Sequence, residues 1–359
     1  MKLYHTTVSD SLVKIIGKKW QPLDTADGEQ AAYIDAGRVR FILHNPTPED
    51  LKHFISLHVW QCYLYITAEY TENQAAARVT WRRIATETGL KVQERETRSI
   101  AAAKREKRRV KSLLDWFKRD FCARGLDVLK RLHVIPDTYS TGAEGAEIPL
   151  LTAAQKIRGG MIAELSPEFK RLINPGKGAL IAQIPPGYLQ LHAGEDKSHR
   201  PEYVAALYKA AWKGIVSYQI PANIRKGTAG RLSKKKLAEE VDAPDANSAD
   251  VKRHGIRDRI IDRVERIINA IADSGLCRIA EDSSSEDTET AERADLAKWE
   301  KTVTGFIFPG VVQPKPKPRY EKRRTGSPPK NAAATKSPKI PQSEREFLEG
   351  LQKGVYNNR

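Results

Sequence analysis

Residues that could perform catalysis occur in the sequence, but their spacing fits none of the common catalytic arrangements. A rolling-circle nuclease requires two metal-binding histidines around one apolar residue, and no His-x-His pair is present. His53 and His58 are instead typical of the flanks of a buried helix face. Residues 176–178 (GKG) lack the first glycine and the hydroxyl residue of a phosphate-binding loop. No Asp-x-Asp pair indicates a polymerase metal site. We therefore expect no catalytic residue, no metal, no cofactor and no enzymatic activity.

The cysteines and the apolar stretches favour a cytoplasmic protein. Cys62, Cys122 and Cys277 are too far apart for a zinc site, and an odd count does not suit a disulfide framework. The first twenty residues lack the pattern of a secretory signal. Residues 54–68 are too few and too polar to span a bilayer, and they predict a buried helix.

Charge gives the main indication of function. The 359 residues carry a net charge of +16, with a pI near 9.6. Such an excess opposes compaction by self-repulsion, and its usual reason is a polyanionic partner. Residues 91–131 hold 14 Lys and Arg against 6 Asp and Glu, and residues 313–340 hold 9 against one. We expect nucleic acid rather than an anionic membrane as the partner.

Hydrophobic periodicity places many of these basic residues on helices. A helix that begins at Pro48 is predicted to run to about Tyr70. After it, a short helix capped by Thr80 precedes a long basic helix over residues 94–122. The same patterns predict strands at residues 37–44 and 157–165 and a capped helix at residues 166–173.

A second copy of this organisation follows. The sequence predicts a helix over 202–217, a short Ser-capped helix over 232–241, a long helix over 251–274, and strands at 276–280 and 302–308. Residues 281–295 hold 7 acids against one Arg and are predicted to form a mobile loop. The basic tail is predicted to be disordered, and it is either a DNA- or partner-binding arm or a solubilising extension.

The order helix, short helix, long basic helix and strand pair predicts a winged helix–turn–helix. The long helix would enter the major groove of DNA, the short helix would brace it, and the strand pair would form the wing. The alternative is a solvated charged helix in an all-α protein. The residues expected to contact DNA are Arg95, Arg98, Lys104, Arg105, Arg108, Arg109, Lys234, Lys235, Lys252, Arg253, Arg257 and Arg259.

The segment LSKKKLAEEV, followed by a polar loop and RIIDRVERIINAIADSGLCRIAE, resembles the C-terminal winged helix of bacterial plasmid replication initiator proteins. The upstream pattern LSPEFKRLI, GALIAQIPPGYLQL and YVAALYKAAW resembles the stretch that joins the two winged helices in that family. The similarity covers about residues 50–310. It implies binding to origin repeats, local duplex melting, recruitment of the host initiator and helicase, and dimerisation through the first winged helix. The acidic loop and the basic tail depart from the family pattern.

The expected fold is mainly α-helical with small β wings. Its parts are an N-terminal segment (1–36), a first winged-helix domain with connecting strands (37–198), a second winged-helix domain (199–310) and a disordered tail (311–359). Sequence-specific binding of double-stranded DNA at a plasmid origin is the expected function. A winged-helix transcriptional regulator and an RNA-binding basic protein stay open as alternatives.

Overall fold

Helices alternate with four antiparallel sheets, so the fold is of mixed α and β type. The computed structural model describes residues 1–24, 30–87, 108, 111–112, 114–136, 146–157, 159–174, 181–191, 201–220, 230–240, 256–280, 296–309 and 311. All of these residues belong to one compact unit, Met1–Pro316. The acidic stretch 281–295 and the tail beyond 311 lie outside them. Within the described ranges, no helix combines the length and the apolar character needed to cross a membrane.

The N-terminal residues contribute strands to two sheets and form one helix. Strand β1 (Lys2–Tyr4) pairs with β10 (Ile181–Gln183), and α1 (Thr7–Ile15) begins in a capping box between Thr6 and Ser9. A five-stranded sheet has the order β2-β3-β4-β6-β7, formed by β2 (Gln21–Asp24), β3 (Gln30–Ala36), β4 (Val39–His44), β6 (Leu132–Ile135) and β7 (Ile148–Pro149).

The strand expected at 37–44 is confirmed as β4, whose Val39, Phe41 and Leu43 face the core. The domain boundary expected between residues 36 and 37 falls in the tight turn that joins β3 to β4. Residues 1–36 therefore share a sheet with the residues that follow them, and they do not form a separate segment.

The first three-stranded sheet and the helices beside it lie within residues 57–165. In chain order they are α3 (Leu57–Asn73), β5 (Ala77–Thr80), α4 (Trp81–Glu87), a π-helix (Phe117–Leu126), α5 (Asp127–Arg131), β8 (Leu151–Ile157) and β9 (Gly160–Leu165). The strand order is β5-β9-β8, so the last strand lies in the middle. The single strand expected over 157–165 is wrong, because Gly159 adopts a positive φ and turns the chain into a β8–β9 hairpin. The capped helix expected at 166–173 is confirmed as α6 (Pro167–Ile173).

The continuous helix expected from Pro48 to Tyr70 is also wrong. Helix α2 (Pro48–Lys52) stops after one turn, and α3 starts again at the Ser56 cap. Between them, the backbone of Ile55 bonds with that of Gly17 and Lys18 at 3.0 and 2.8 Å. These long-range bonds hold Ile55 extended, so the helix cannot continue through it.

The second three-stranded sheet and the helices beside it lie within residues 201–307. In chain order they are α7 (Pro201–Gln219), β11 (Gly230–Ser233), α8 (Lys234–Glu240), α9 (Ile256–Asp273), β12 (Arg278–Ala280), α10 (Leu296–Lys301) and β13 (Val303–Ile307). The order is β11-β13-β12, again with the last strand in the middle. The expected long helix ends as predicted, with Gly275 at a φ of +74° after the last turn. Strand β11 and helix α10 were not expected.

Buried aromatic side chains join α3 to α7. The Trp60 indole donates to the Tyr188 hydroxyl at 2.9 Å, and that hydroxyl donates to the Tyr208 carbonyl at 3.1 Å. The rings of Trp60 and Trp212 meet edge to face, with centroids 5.0 Å apart. All four residues are fully buried. Helices α3 and α7, which precede the two three-stranded sheets in the chain, therefore share one core.

Asp10 ties α1 to the same core. Its carboxylate accepts hydrogen bonds from the Trp212 indole at 2.8 Å and from His5 at 2.9 Å, and Lys213 lies 3.4 Å away. Burial raises the pKa of Asp10, but these hydrogen bonds and positive charges outweigh burial and lower it to about 2.

Replacement of Asp10 by Asn should destabilise the fold in a pH-dependent way. Because the folded-state pKa is depressed, the carboxylate stabilises the fold above about pH 4 and stops doing so as the pH falls toward 2. Urea unfolding should show Asp10→Asn less stable than the wild type by about 2 kcal/mol at pH 7, with the gap closing in acid. Asp35→Asn, which breaks an exposed pair with Arg40, is the control and should cost under about 0.5 kcal/mol. A pH-independent deficit would contradict the assignment.

The π-helix approaches α3 very closely at Gly125. A Cβ atom added there would lie 2.7 Å from both the Cys62 sulfur and the His58 carbonyl oxygen. Glycine at this position therefore sets the spacing of the two helices.

Gly125→Ala should destabilise the protein by about 1–3 kcal/mol through overpacking, although alanine favours helices more than glycine does. Urea denaturation measures the change. Ala123→Ser, on the exposed side of the same π-helix, is the control and should stay within about 0.5 kcal/mol of the wild type. A stabilised Gly125→Ala variant would show that the helices can separate at no cost.

Candidate nucleic-acid interface

In two places a strand runs directly into a short helix, at β5–α4 and at β11–α8, and both junctions have the same residue pattern. Residues 77–87 (ARVTWRRIATE) and residues 230–240 (GRLSKKKLAEE) align without a gap. In both strands an exposed arginine, Arg78 or Arg231, stands between buried neighbours. The two regions that contain these junctions are called module 1 (residues 57–165) and module 2 (residues 201–307).

The same hydrogen bond starts the short helix in each module. The Thr80 hydroxyl accepts from the backbone N–H of Arg83 at 3.4 Å, and the Ser233 hydroxyl accepts from that of Lys236 at 3.3 Å. A hydroxyl residue that ends the strand thus also caps the helix, so no loop separates the two elements.

The register of the central strand also repeats. Trp81, the residue after the first strand, donates its backbone N–H to Gly159 at 3.2 Å. Lys234, the equivalent residue, donates to Thr302 at 2.9 Å. Both acceptors immediately precede the central strand of their sheet. Sequence pattern, cap, strand order and register therefore agree, and the modules are two copies of one arrangement.

In module 1 the π-helix packs on α3, and in module 2 α9 packs its apolar side on α7. The buried apolar residues of α9 are Ile260, Val264, Ile267, Ile268 and Ile271, at helical spacing. From residue 262 onward, the exposed part of α9 carries both signs of charge, with Asp262, Arg266 and Asp273. Any excess of positive charge on the second long segment therefore lies toward its N-terminal end.

The expected DNA-contacting residues that the structure describes have different roles. Arg108 and Lys235 are exposed. The Lys234 side chain is only 16% exposed, because it lies 3.8 Å from the Glu265 carboxylate and 5.7 Å from the centre of the Trp299 ring. Lys234 therefore joins α8 to α9 and α10, and it is not an open phosphate contact.

The side chains of the other expected residues lie outside the part of the chain that the structure describes, so it does not show whether they meet at one site. Arg257 and Arg259 lie on the first turn of α9, but their side chains are outside the described part of the chain. The remaining expected contacts lie outside the described residues altogether: Arg95, Arg98, Lys104, Arg105, Arg109, Lys252 and Arg253.

Two exposed arginines on the second sheet were missed by the sequence reasoning. Arg231 pairs with Gly305, and Arg278 pairs with Ile307. Gly305 and Ile307 are two apart on the central strand, so both arginines lie on the same face of the sheet. Alternation of arginine with apolar residues in GRLS and CRIA was the available signal.

A groove of about 1340 Å³ lies beside the start of α3, and the charges around it are largely paired. Its basic residues pair with nearby carboxylates: Arg131 with Asp50 at 2.9 Å, Lys130 with Asp127 at 3.5 Å, and Arg124 with Asp120 at 3.6 Å. Neutralised pairs attract phosphate weakly, so this groove does not fit a nucleic-acid backbone.

Comparisons of the chain with protein-family models, with curated proteins and with solved structures find no match. The function of the chain is therefore inferred from its own residues and fold.

Adjacent lysines on α8 should respond differently to substitution. Lys234→Ala should lower the free energy of unfolding by about 1 kcal/mol, because it removes an ion pair and a cation–π contact from a buried tryptophan. Lys235→Ala, at the next and exposed position, should change it by less than about 0.5 kcal/mol. Urea unfolding followed by Trp fluorescence measures both. Equal effects of the two substitutions would contradict the different roles assigned to Lys234 and Lys235.

Proposed function

We propose that this chain binds double-stranded DNA in a sequence-specific manner through two winged helix–turn–helix modules. The observation that carries the proposal is the gap-free, register-matched repeat of the strand–helix junction in modules 1 and 2. Each module has a first helix, a strand that runs directly into a short helix, a further helical segment and a closing strand pair whose last strand is central. This is the order of a winged helix, in which the second helix braces the recognition helix. Strands β6 and β7 precede the closing strand pair in module 1, and α10 lies between the two strands of that pair in module 2.

In module 2, the N-terminal half of the long helix is the proposed recognition surface. The apolar face of the long helix packs on α7, and the C-terminal half of the helix carries both signs of charge. Major-groove contacts are therefore proposed for the residues that precede this C-terminal half. We assign them to Arg253, Arg257 and Arg259. An arginine that bonds both acceptors of a guanine discriminates by about 1–3 kcal/mol.

Phosphate contacts are assigned to the cations that flank this helix. Lys235 and Lys236 are exposed in the first turn of α8. Arg231 and Arg278 share the exposed face of the sheet whose strands β12 and β13 would form the wing. These cations would fix the register of the module on the duplex, while the helix reads the bases.

The role proposed for this DNA binding is initiation of plasmid replication at origin repeats. The resemblance of both modules and their connection to plasmid initiators supports it, as does the shared core, which fixes the spacing of two DNA-reading surfaces. A transcriptional regulator with the same modules is the alternative, because both roles begin with recognition of repeated sites. The net charge by itself would equally suit an RNA-binding protein.

Selection from a random duplex library should yield a preferred DNA sequence for the full-length protein. Arg253→Ala/Arg257→Ala/Arg259→Ala should abolish the preference for that sequence while leaving the circular dichroism spectrum unchanged. Lys235→Ala/Lys236→Ala should weaken binding to all duplexes and reduce the slope of log K against log salt by up to about 2. Lys52→Ala, on exposed α2 outside both modules, is the charge-matched control and should have no effect on the preference.

Competition and replication assays separate the alternatives. If structured RNA displaces the protein from the selected duplex at equal concentration and fixed salt, the DNA assignment is wrong. If the duplex wins, a plasmid that carries the gene and its flanking repeats is introduced into a host without other initiators. Replication supports an initiator, and its absence supports a regulator.

A further inference from the structure

Two histidines and a glutamate converge on the five-stranded sheet, which is separate from the two three-stranded sheets. The imidazoles of His44 and His133 have ring centroids 4.4 Å apart. The Glu147 carboxylate is hydrogen-bonded to His44 Nε2 and lies 2.7 Å from His133 Nδ1. One ligand-type atom from each of the three residues lies within 4.8 Å of the other two.

Strand pairing determines this convergence. Ile42 on β4 is opposite His133 on β6, so His44 lies diagonally beside His133 on the same face. Pro149 on the edge strand β7 is opposite His133 on its other side, and Glu147 immediately precedes that strand. Two of the ligands therefore lie on neighbouring strands, and the third lies one residue before the strand that pairs next to them.

We propose that His44, His133 and Glu147 form a binding site for a divalent transition-metal ion, with Zn²⁺ as the best fit. Two imidazoles and one carboxylate are a ligand set that zinc uses, whereas Mg²⁺ and Ca²⁺ prefer oxygen ligands. Three protein ligands leave one tetrahedral position for water or a further ligand.

The geometry requires little rearrangement. Zinc bonds of about 2.0–2.1 Å in a tetrahedron separate the ligand atoms by about 3.3 Å. The 2.7 Å separation between His133 and Glu147 must open by about 0.6 Å, which side-chain torsions can supply. The side chains are 26%, 27% and 33% exposed, so an ion can enter from solvent while the sheet supports the ligands.

The imidazole nitrogens that face the Glu147 carboxylate are the atoms that would coordinate the ion. A neutral imidazole keeps the lone pair that coordinates a metal. A bound dication would replace the protons that now link the two rings to the carboxylate, and it would join β4, β6 and the start of β7.

The test uses the full-length protein, freed of metal with a chelator and then titrated with ZnCl₂ by isothermal calorimetry. One ion should bind per chain in the micromolar range or tighter, and saturating Zn²⁺ should raise Tm by about 5 °C. CoCl₂ should give the visible absorption of a tetrahedral site. His133→Ala should weaken Zn²⁺ binding by more than about 100-fold, and Glu147→Gln, which keeps the shape of the side chain, by about 10-fold or more.

His53→Ala is the matched control, because His53 is exposed and lies outside the cluster. It should bind Zn²⁺ as the wild type does. The proposal is overturned if the wild-type protein binds no Zn²⁺, or if His133→Ala and Glu147→Gln both bind it with unchanged affinity and stoichiometry. DNA binding is measured separately and does not enter this outcome, so the two proposals can fail independently.

Discussion

The buried contact between α3 and α7 is the constraint on which the rest of this architecture depends. Trp60, Tyr188 and Trp212 fill the space between the two helices, and the indole and hydroxyl groups are satisfied by one another and by Asp10. Because each helix is also the first helix of a module, the two modules share one core. On the proposal that both modules bind DNA, two surfaces held in this way would match only sites of one separation.

Positive charge serves two different purposes in the molecule. Some cations are used internally: Lys213 stabilises Asp10, Arg131 binds Asp50, and Lys234 braces three helices. Others, such as Lys235 and Arg231, are exposed and contribute to the field around module 2. Only the second group is open to a polyanionic partner, so the count of 61 Lys and Arg overstates the number of cations available for binding.

The elements that could be predicted from the sequence are those whose signals are local. The apolar stripe of α9, the Ser166 cap of α6 and the glycine stop at Gly275 each depend on residues within a turn or two. The break between α2 and α3 could not be predicted, because its cause is the bonding of Ile55 to residues nearly forty positions earlier. Strand β11 was missed because four residues are too few to show a period.

The charge, the apolar face of α9, the helix caps and the repeated order of elements can be predicted from the sequence, because each depends on neighbouring residues. Only the folded chain shows that Lys234 is held against Trp299 while Lys235 faces solvent. Tertiary structure also decided the meeting of His44, His133 and Glu147, which are separated by up to 103 positions. Strand pairing across such distances brings residues together by register, and no local pattern encodes that register.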